Sequence, residues 1–431
     1  MAIQSEGIGL FPFIESDHPF YPQVQRFRTL LSENPLYAEA VERVKGGRTA
    51  VHSEIKGRLV PGHGWELSRF YWSFQSWDES RPLRFHALTL YSAAQTGQTS
   101  FYEFPQDPYL TTVVSFFGEK PFRPDEEGTA GQLDVLQYVP LRRLTFRISD
   151  PHETIAPVIG KFKRRSRFKE SYNRLVSVSR AIRRSQSAFS VAAPVGIDEA
   201  HCLFFQEARP GKDLSTLLDK DRFPELLHRM GTIHRDLHGQ NVPDVPEWDF
   251  GAFLQNLGRD IQWISFFRPE QGPFLDDIRD LLLRQVPRID PGEYSFCHGD
   301  FVCSQILLEN DHWSVIDFDL GMRGDPYLEI AMLLASLKYD VPLFEAHFIC
   351  RKQGESDILE EACESYLNGY QERAQKALSR KRLLWYRICA EIYYLSLMLK
   401  KDRFCSMAFD RTIEQVRHLS EQLGKDKRRD P

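Results

Sequence analysis

Two stretches of the chain place an aspartate shortly before a side-chain amide and follow the pair with a second aspartate. The first is His234-Arg235-Asp236-Leu237-His238-Gly239-Gln240-Asn241, then Asp249-Phe250-Gly251. The second is His298-Gly299-Asp300-Phe301-Val302-Cys303-Ser304-Gln305, then Asp317-Phe318-Asp319. Residues of these types suit phosphoryl transfer. One carboxylate faces an incoming hydroxyl and accepts its proton, while an amide oxygen and the later carboxylate hold Mg²⁺, a hard cation that takes oxygen ligands and keeps several waters. A base and its metal ligands must be rigid relative to one another, so the elements around each set decide between them.

Between Gln305 and Asp317 the sequence supplies a β-hairpin, with strands at 306–308 and 313–316 and Glu309-Asn310-Asp311 as the turn. Between Asn241 and Asp249 lie seven residues that include Pro243 and Pro246, which cannot join a central hairpin. The first set is a literal match to protein-kinase strings, yet it reads as a coincidence. His234 closes an amphipathic helix carrying Leu226, Leu227, Met230 and Ile233. Upstream, strands are expected at 133–138, 144–148 and 155–162, a helix at 167–183, and a buried strand at 202–207 that ends in a turn, as a hinge between lobes requires. Residues 141–185 hold 13 Lys or Arg against three acids, an excess that suits an anionic ligand such as a triphosphate.

With these residues in order, the chain resembles the aminoglycoside phosphotransferase and choline kinase superfamily of small-molecule kinases. The resemblance rests on Tyr294-Ser295-Phe296-Cys297-His298-Gly299-Asp300, on Ile316-Asp317-Phe318-Asp319, and on Gly324-Asp325-Pro326-Tyr327-Leu328-Glu329-Ile330-Ala331. It implies an α+β, two-lobed protein-kinase-like fold: an accessory α+β region over 1–125, a small antiparallel β N-lobe over 126–208, and a large helical C-lobe over 209–431. It implies ATP and Mg²⁺. Asp300 would be the catalytic base, with His298 orienting its loop by hydrogen bonding. Gln305 and Asp317 would hold Mg²⁺, and Asp319 either a second metal or the local structure. Lys161 would reach the α/β-phosphates with Glu170 as its helix partner, and the backbone of Gln206, Glu207 and Ala208 would receive adenine. Gln305 stands where the family usually carries Asn, a departure found in the maltokinase-like branch, which residues 104–110 and the amino-terminal extension also resemble. No glycine-rich loop covers the phosphates, so residues 139–143, with Arg142 and Arg143, take its place. Asp325 reads as a helix cap before Pro326.

The rest of the chain bounds these expectations. With 431 residues, 42% hydrophobic and 27% charged, it is an ordinary globular chain and neither disordered nor fibrous. Its 55 basic and 60 acidic residues give −5, without the global positive field of a nucleic-acid binder, so an RNA-binding role for the basic segment is disfavoured. Seven cysteines without a C-x-x-C pair fit neither a disulfide framework nor zinc, and they point to a reducing, cytoplasmic setting. No signal peptide or membrane span is expected. Residues 21–44 have helical spacing broken at Asn34-Pro35. Aromatic-rich stretches at 65–74 and 84–91 read as strands, and Gly46-Gly47 and 61–64 as turns. The acceptor would be a small-molecule hydroxyl, on a sugar or amino sugar ahead of an aminoglycoside or amino alcohol. Asp249, Asp260, Trp263, Trp385 and Tyr386 are candidates to meet it. No particular protein partner is indicated. The competing function is a catalytically silent kinase-like binding protein, favoured by Gln305 and the missing glycine loop and opposed by Asp300, Asp317 and Lys161.

Overall fold

The aromatic-rich amino-terminal stretches form a four-stranded antiparallel sheet in sequential order: β1 (Arg48–Val60), β2 (Gly64–Trp77), β3 (Phe85–Ala93) and β4 (Gln98–Glu103). The first strand, mixed in polarity, escapes a reading by alternation. Phe70, Trp72 and Phe74 alternate onto one face of β2. Helix α1 (Tyr21–Ser32) buries Val24, Phe27 and Leu31, and Phe27 stacks on Phe70 at 4.2 Å. The opposite face of β2 carries Arg69, Tyr71, Ser73 and Gln75. After a short α2 (Thr112–Gly118), a five-stranded sheet follows in the order β5-β6-β7-β10-β9. It is built from β5 (Gln132–Val139), β6 (Arg143–Ser149), β7 (Val158–Lys163), β9 (Pro194–Asp198) and β10 (Leu203–Glu207). Phe85 and Phe104 from the accessory region share one apolar core with Val135, Tyr138, Phe146 and Phe162 of this sheet.

In this computed structural model the chain divides into two compact units, one of residues 1–169, 195–208 and 397–404, the other of 170–194, 209–396 and 405–431. The described residues are 11, 13–35, 48–61, 64–77, 85–93, 98–118, 132–150, 152, 154, 156–185, 187–350, 357–372, 376–401 and 404–425. Gly46-Gly47, Gly62-His63, the second half of the helical pattern at 21–44 and the 125/126 boundary lie outside them.

Helix α3 (Phe168–Arg184) leads into the second unit. There β8 (Ser190–Val191), β11 (Lys212–Asp213), β13 (Ile306–Glu309) and β14 (His312–Val315) form a small sheet in the order β11-β13-β14-β8, and β12 (Ser295–Cys297) pairs with β15 (Met322–Gly324). The remainder is helical: α4 (Leu214–Leu217), α5 (Phe223–His238), α6 (Phe250–Phe267), α7 (Gly272–Arg284), α8 (Pro326–Asp340), α9 (Pro342–Cys350), α10 (Ile358–Gln371), α11 (Arg380–Lys400) and α12 (Ser406–Lys425). Helices α5 and α10 approach until glycine is obligatory at the crossing. A Cβ on Gly231 would lie 2.2 Å from the Tyr366 carbonyl oxygen, and one on Gly369 would lie 1.9 Å from that of His228. That contact sets the tyrosines of α10 beside the histidines of α5. Strands thus dominate the first unit and helices the second, an α+β protein.

Candidate active site

The hairpin forms as its sequence dictates. Asn310 and Asp311, both at positive φ, make the two-residue turn that matches strand twist and join β13 to β14. Its base is laced to the loop after β12. The Ile316 amide donates to the Gln305 carbonyl at 3.0 Å. His298, 0% exposed, donates from Nε2 to the Ile316 carbonyl at 2.8 Å, and its Nδ1 accepts from the Asp300 amide at 3.3 Å. Gly299 has φ +83°, and a Cβ there would sit 2.3 Å from the Leu320 carbonyl oxygen, so only glycine lets the loop lie on the turn at Phe318–Leu320. Asp317, which starts that turn, is held in the left-handed region at φ 66°, ψ 55°. A non-glycine residue there stores about 1 kcal/mol of strain, a cost the surrounding bonds must hold in place. Asp300, Gln305 and Asp317 therefore sit on mutually bonded backbone segments. The Asp300 residue is exposed, and Gln305 and Asp317 are half-buried.

A buried carboxylate that the sequence reading missed anchors this loop. Glu329, in the first turn of α8, accepts the His298 amide at 3.0 Å and the Gly299 amide at 2.5 Å. The same carboxylate accepts Nε2–H from His234 and from His238, each at 2.9 Å. Their Nδ1 atoms face the hydroxyls of Tyr366 at 2.5 Å and Tyr370 at 2.8 Å. The His234 ring also stacks on Phe301 at 3.8 Å, next to Asp300. Burial pushes the His234 pKa down to about 3, so it stays neutral. Burial opposes ionisation of Glu329, yet the imidazole donors hold its carboxyl well below the usual range. The signal available in the sequence was the i, i+4 spacing of His234 and His238 and a lone acid in the apolar run of α8.

The first motif is accounted for by this scaffold. Helix α5 continues through it to His238, beyond the expected end at His234. Asp236 accepts the Ala188 amide at 2.8 Å and Gln240 Nε2 at 2.9 Å, and Asp249 caps α6 by accepting the Ala252 amide at 2.9 Å. The acceptor candidates are likewise structural. Trp385 donates to the Leu282 carbonyl, the Tyr386 hydroxyl donates to Asp325, and the Ser396 hydroxyl donates to Asp260. Trp263 is buried, with its ring 4.7 Å from that of Phe267. Asp325 caps α8 through the Tyr327 amide at 3.0 Å and binds the Arg382 guanidinium at 2.7 Å.

The nucleotide candidates lie partly in the first unit. Lys161 occupies the middle of β7, paired with Thr145 and Phe204, and is 6% exposed. Alternation places it with Lys163 on the face opposite Phe162 and the shared core. On β10, Gln206 is buried, and the Ala208 amide donates to the Pro157 carbonyl at 3.1 Å. In the second unit Glu170 pairs with Arg174 at 2.7 Å, and Arg174 Nη1 donates to the Asp319 carbonyl, tying α3 to the turn that follows Asp317. Arg142, expected over the phosphates, pairs with Glu54 of β1 at 3.4 Å.

Residues 141–374, more than half of the chain, match the phosphotransferase enzyme family. No curated protein matches the sequence. Similar solved structures include a choline/ethanolamine kinase family protein from Mesorhizobium loti, 15% identical with a TM-score of 0.46 over 73% of this chain and 97% of that one. Choline kinase from Streptococcus pneumoniae is 14% identical, with a TM-score of 0.44 over 67% and 93%. An ADP-bound aminoglycoside phosphotransferase is 16% identical, with a TM-score of 0.41 over 68% and 94%.

Proposed function

Because the chain belongs to the phosphotransferase enzyme family, we propose that it transfers the γ-phosphate of ATP to a hydroxyl of a small polar metabolite, a sugar or amino sugar. The observation that carries this reading is the lacing of residues 298–305 to 316–320, which gathers an exposed carboxylate, an amide and a second carboxylate on one rigid support. Asp300 accepts the proton of the attacking hydroxyl. His298 has both ring nitrogens engaged inside the protein, so it positions the Asp300 backbone and does not exchange protons with substrate. The donor set of Gln305 and Asp317 is oxygen only, which fits Mg²⁺, and the left-handed backbone at Asp317 fixes one of those donors before metal arrives. When bound, Mg²⁺ supplies charge neutralisation at the phosphate oxygens. Lys161, fixed on a central strand, is the cation for the α/β-phosphates. The adenine edge would meet the backbone of the Gln206, Glu207 and Ala208 segment at the end of β10, where the Ala208 amide donates to the Pro157 carbonyl.

The test is ADP release with and without Mg²⁺ across sugars, amino sugars, aminoglycosides and amino alcohols. Mg²⁺-dependent turnover on a hydroxyl acceptor supports the reading. Nucleotide binding without turnover on any of them overturns it.

A further inference from the structure

The polar face of the accessory sheet concentrates positive charge where it meets the β5–β6 turn, within the first unit. Lys56 and Arg69 stand directly opposite each other on β1 and β2, an arrangement that repels unless an anion lies between. Glu54, buried beside them, takes Arg69 at 2.9 Å, Lys56 at 3.3 Å and Arg142 at 3.4 Å. A fourth cation, Arg164, donates from Nε to the Leu141 carbonyl at 2.5 Å and lies 4.6 Å over the Tyr109 ring. The neighbouring carboxylate, Asp107, has both oxygens occupied by the Tyr109, Leu110 and Leu141 amides and the Tyr138 hydroxyl. Four cations thus face two carboxylates, a local excess of two positive charges.

Among the described residues, Arg69 Nε and Arg164 Nη2 are buried without a hydrogen-bond partner. An unmatched guanidinium donor away from water is costly, and arginine forks satisfy such donors best with the multiple oxygens of an oxyanion. The crowding also registers in Arg164, whose pKa is lowered by burial and by Arg69 and Arg142 nearby. Lys56 and Arg142 keep roughly two-fifths of their side chains exposed, so the cluster opens to solvent.

We propose that Arg69, Arg142 and Arg164 form a binding site for a phosphate group, distinct from the nucleotide and acceptor sites. A dianionic tetrahedral group matches both the charge excess and the two orphaned donors. Its sources are free inorganic phosphate or an organic phosphate monoester.

Calorimetric titration of the full-length protein at fixed ionic strength tests this, with inorganic phosphate and glycerol 3-phosphate as probes and chloride as control. Saturable phosphate binding is expected, weakened roughly tenfold in Arg69→Gln and in Arg164→Gln, which is what one charge-assisted hydrogen bond confers. Binding should persist under saturating Mg²⁺ and AMP-PNP. Whichever probe binds more tightly identifies the source. The proposal is overturned if wild type binds phosphate no better than chloride, if both variants bind like wild type, or if AMP-PNP displaces the phosphate completely. Should Arg69→Gln not fold, the partly exposed Arg164 carries the comparison alone.

Discussion

Gln305 differs from asparagine by one methylene, and its backbone carbonyl already ties the loop to Ile316. Its side chain is therefore free to serve the metal without holding the loop together. Replacing Gln305 by Ala should raise the Mg²⁺ concentration needed for half-maximal turnover by roughly tenfold or more, while Gln305→Asn restores it. Metal titration of initial rates reads this out directly, and an unchanged requirement in the alanine variant removes Gln305 from the metal site. At this scale the sequence was partly legible. Asp300, Gln305 and Asp317 stood out by type and spacing, and Asp325 as a cap by its proline. Glu329 did not, because its importance lies in four donors from two segments distant in sequence, a relation that no local pattern carries.

Among the elements, α5, α8 and the loop after β12 act together through one carboxylate. Glu329→Gln keeps the volume but puts an NH₂ among donors, leaving buried N–H groups unmatched, and should cost about 3 kcal/mol in chemical denaturation. The matching loss of activity should appear in kcat more than in the ATP KM, because the loop that loosens carries Asp300. A variant as stable as wild type contradicts the anchoring role. The elements themselves were largely visible from periodicity, and the hairpin at 306–315 appears as its turn residues require. Two misses share a physical cause. The β1 strand (Arg48–Val60) hid because one of its faces is charged, and α5 ran past His234 because buried histidines, satisfied by Glu329 and tyrosines, behave as core residues. The string that looked most like a catalytic loop proved to be part of that helix.

For the whole molecule, the protein is an α+β chain of the phosphotransferase enzyme family that divides into two compact units, and within the first the accessory sheet and the five-stranded sheet share a core. The overall charge of −5 conceals a basic stretch at 141–185, which runs from the first unit into the second. Among the described residues no helix is long and apolar enough to cross a membrane. Stability should carry the mark of the buried histidine. His234 titrates near 6.5 when unfolded and at about 3 when folded, so the unfolded chain takes up the proton first. Stability is complete above pH 6.5 and declines as pH falls toward 3, with Glu329 steepening the decline below its ordinary value of 4.5. Denaturation midpoints should hold between pH 7.5 and 6.5 and fall from there to pH 4.5, less steeply in His234→Gln; identical slopes would show that His234 is not held neutral.

Two aspartates, Asp236 and Asp300, stand in comparable motifs, and only Asp300 is assigned as the base. Single-turnover phosphoryl transfer to any accepted hydroxyl should drop by roughly 10²- to 10⁴-fold in Asp300→Asn with ATP affinity retained, the loss expected on removing a general base. Asp236→Asn, which disturbs only the bonds to Ala188 and Gln240, should keep a transfer rate near that of wild type once folded. The reverse pattern, with Asp236→Asn inactive and Asp300→Asn active, would contradict the assignment of the site.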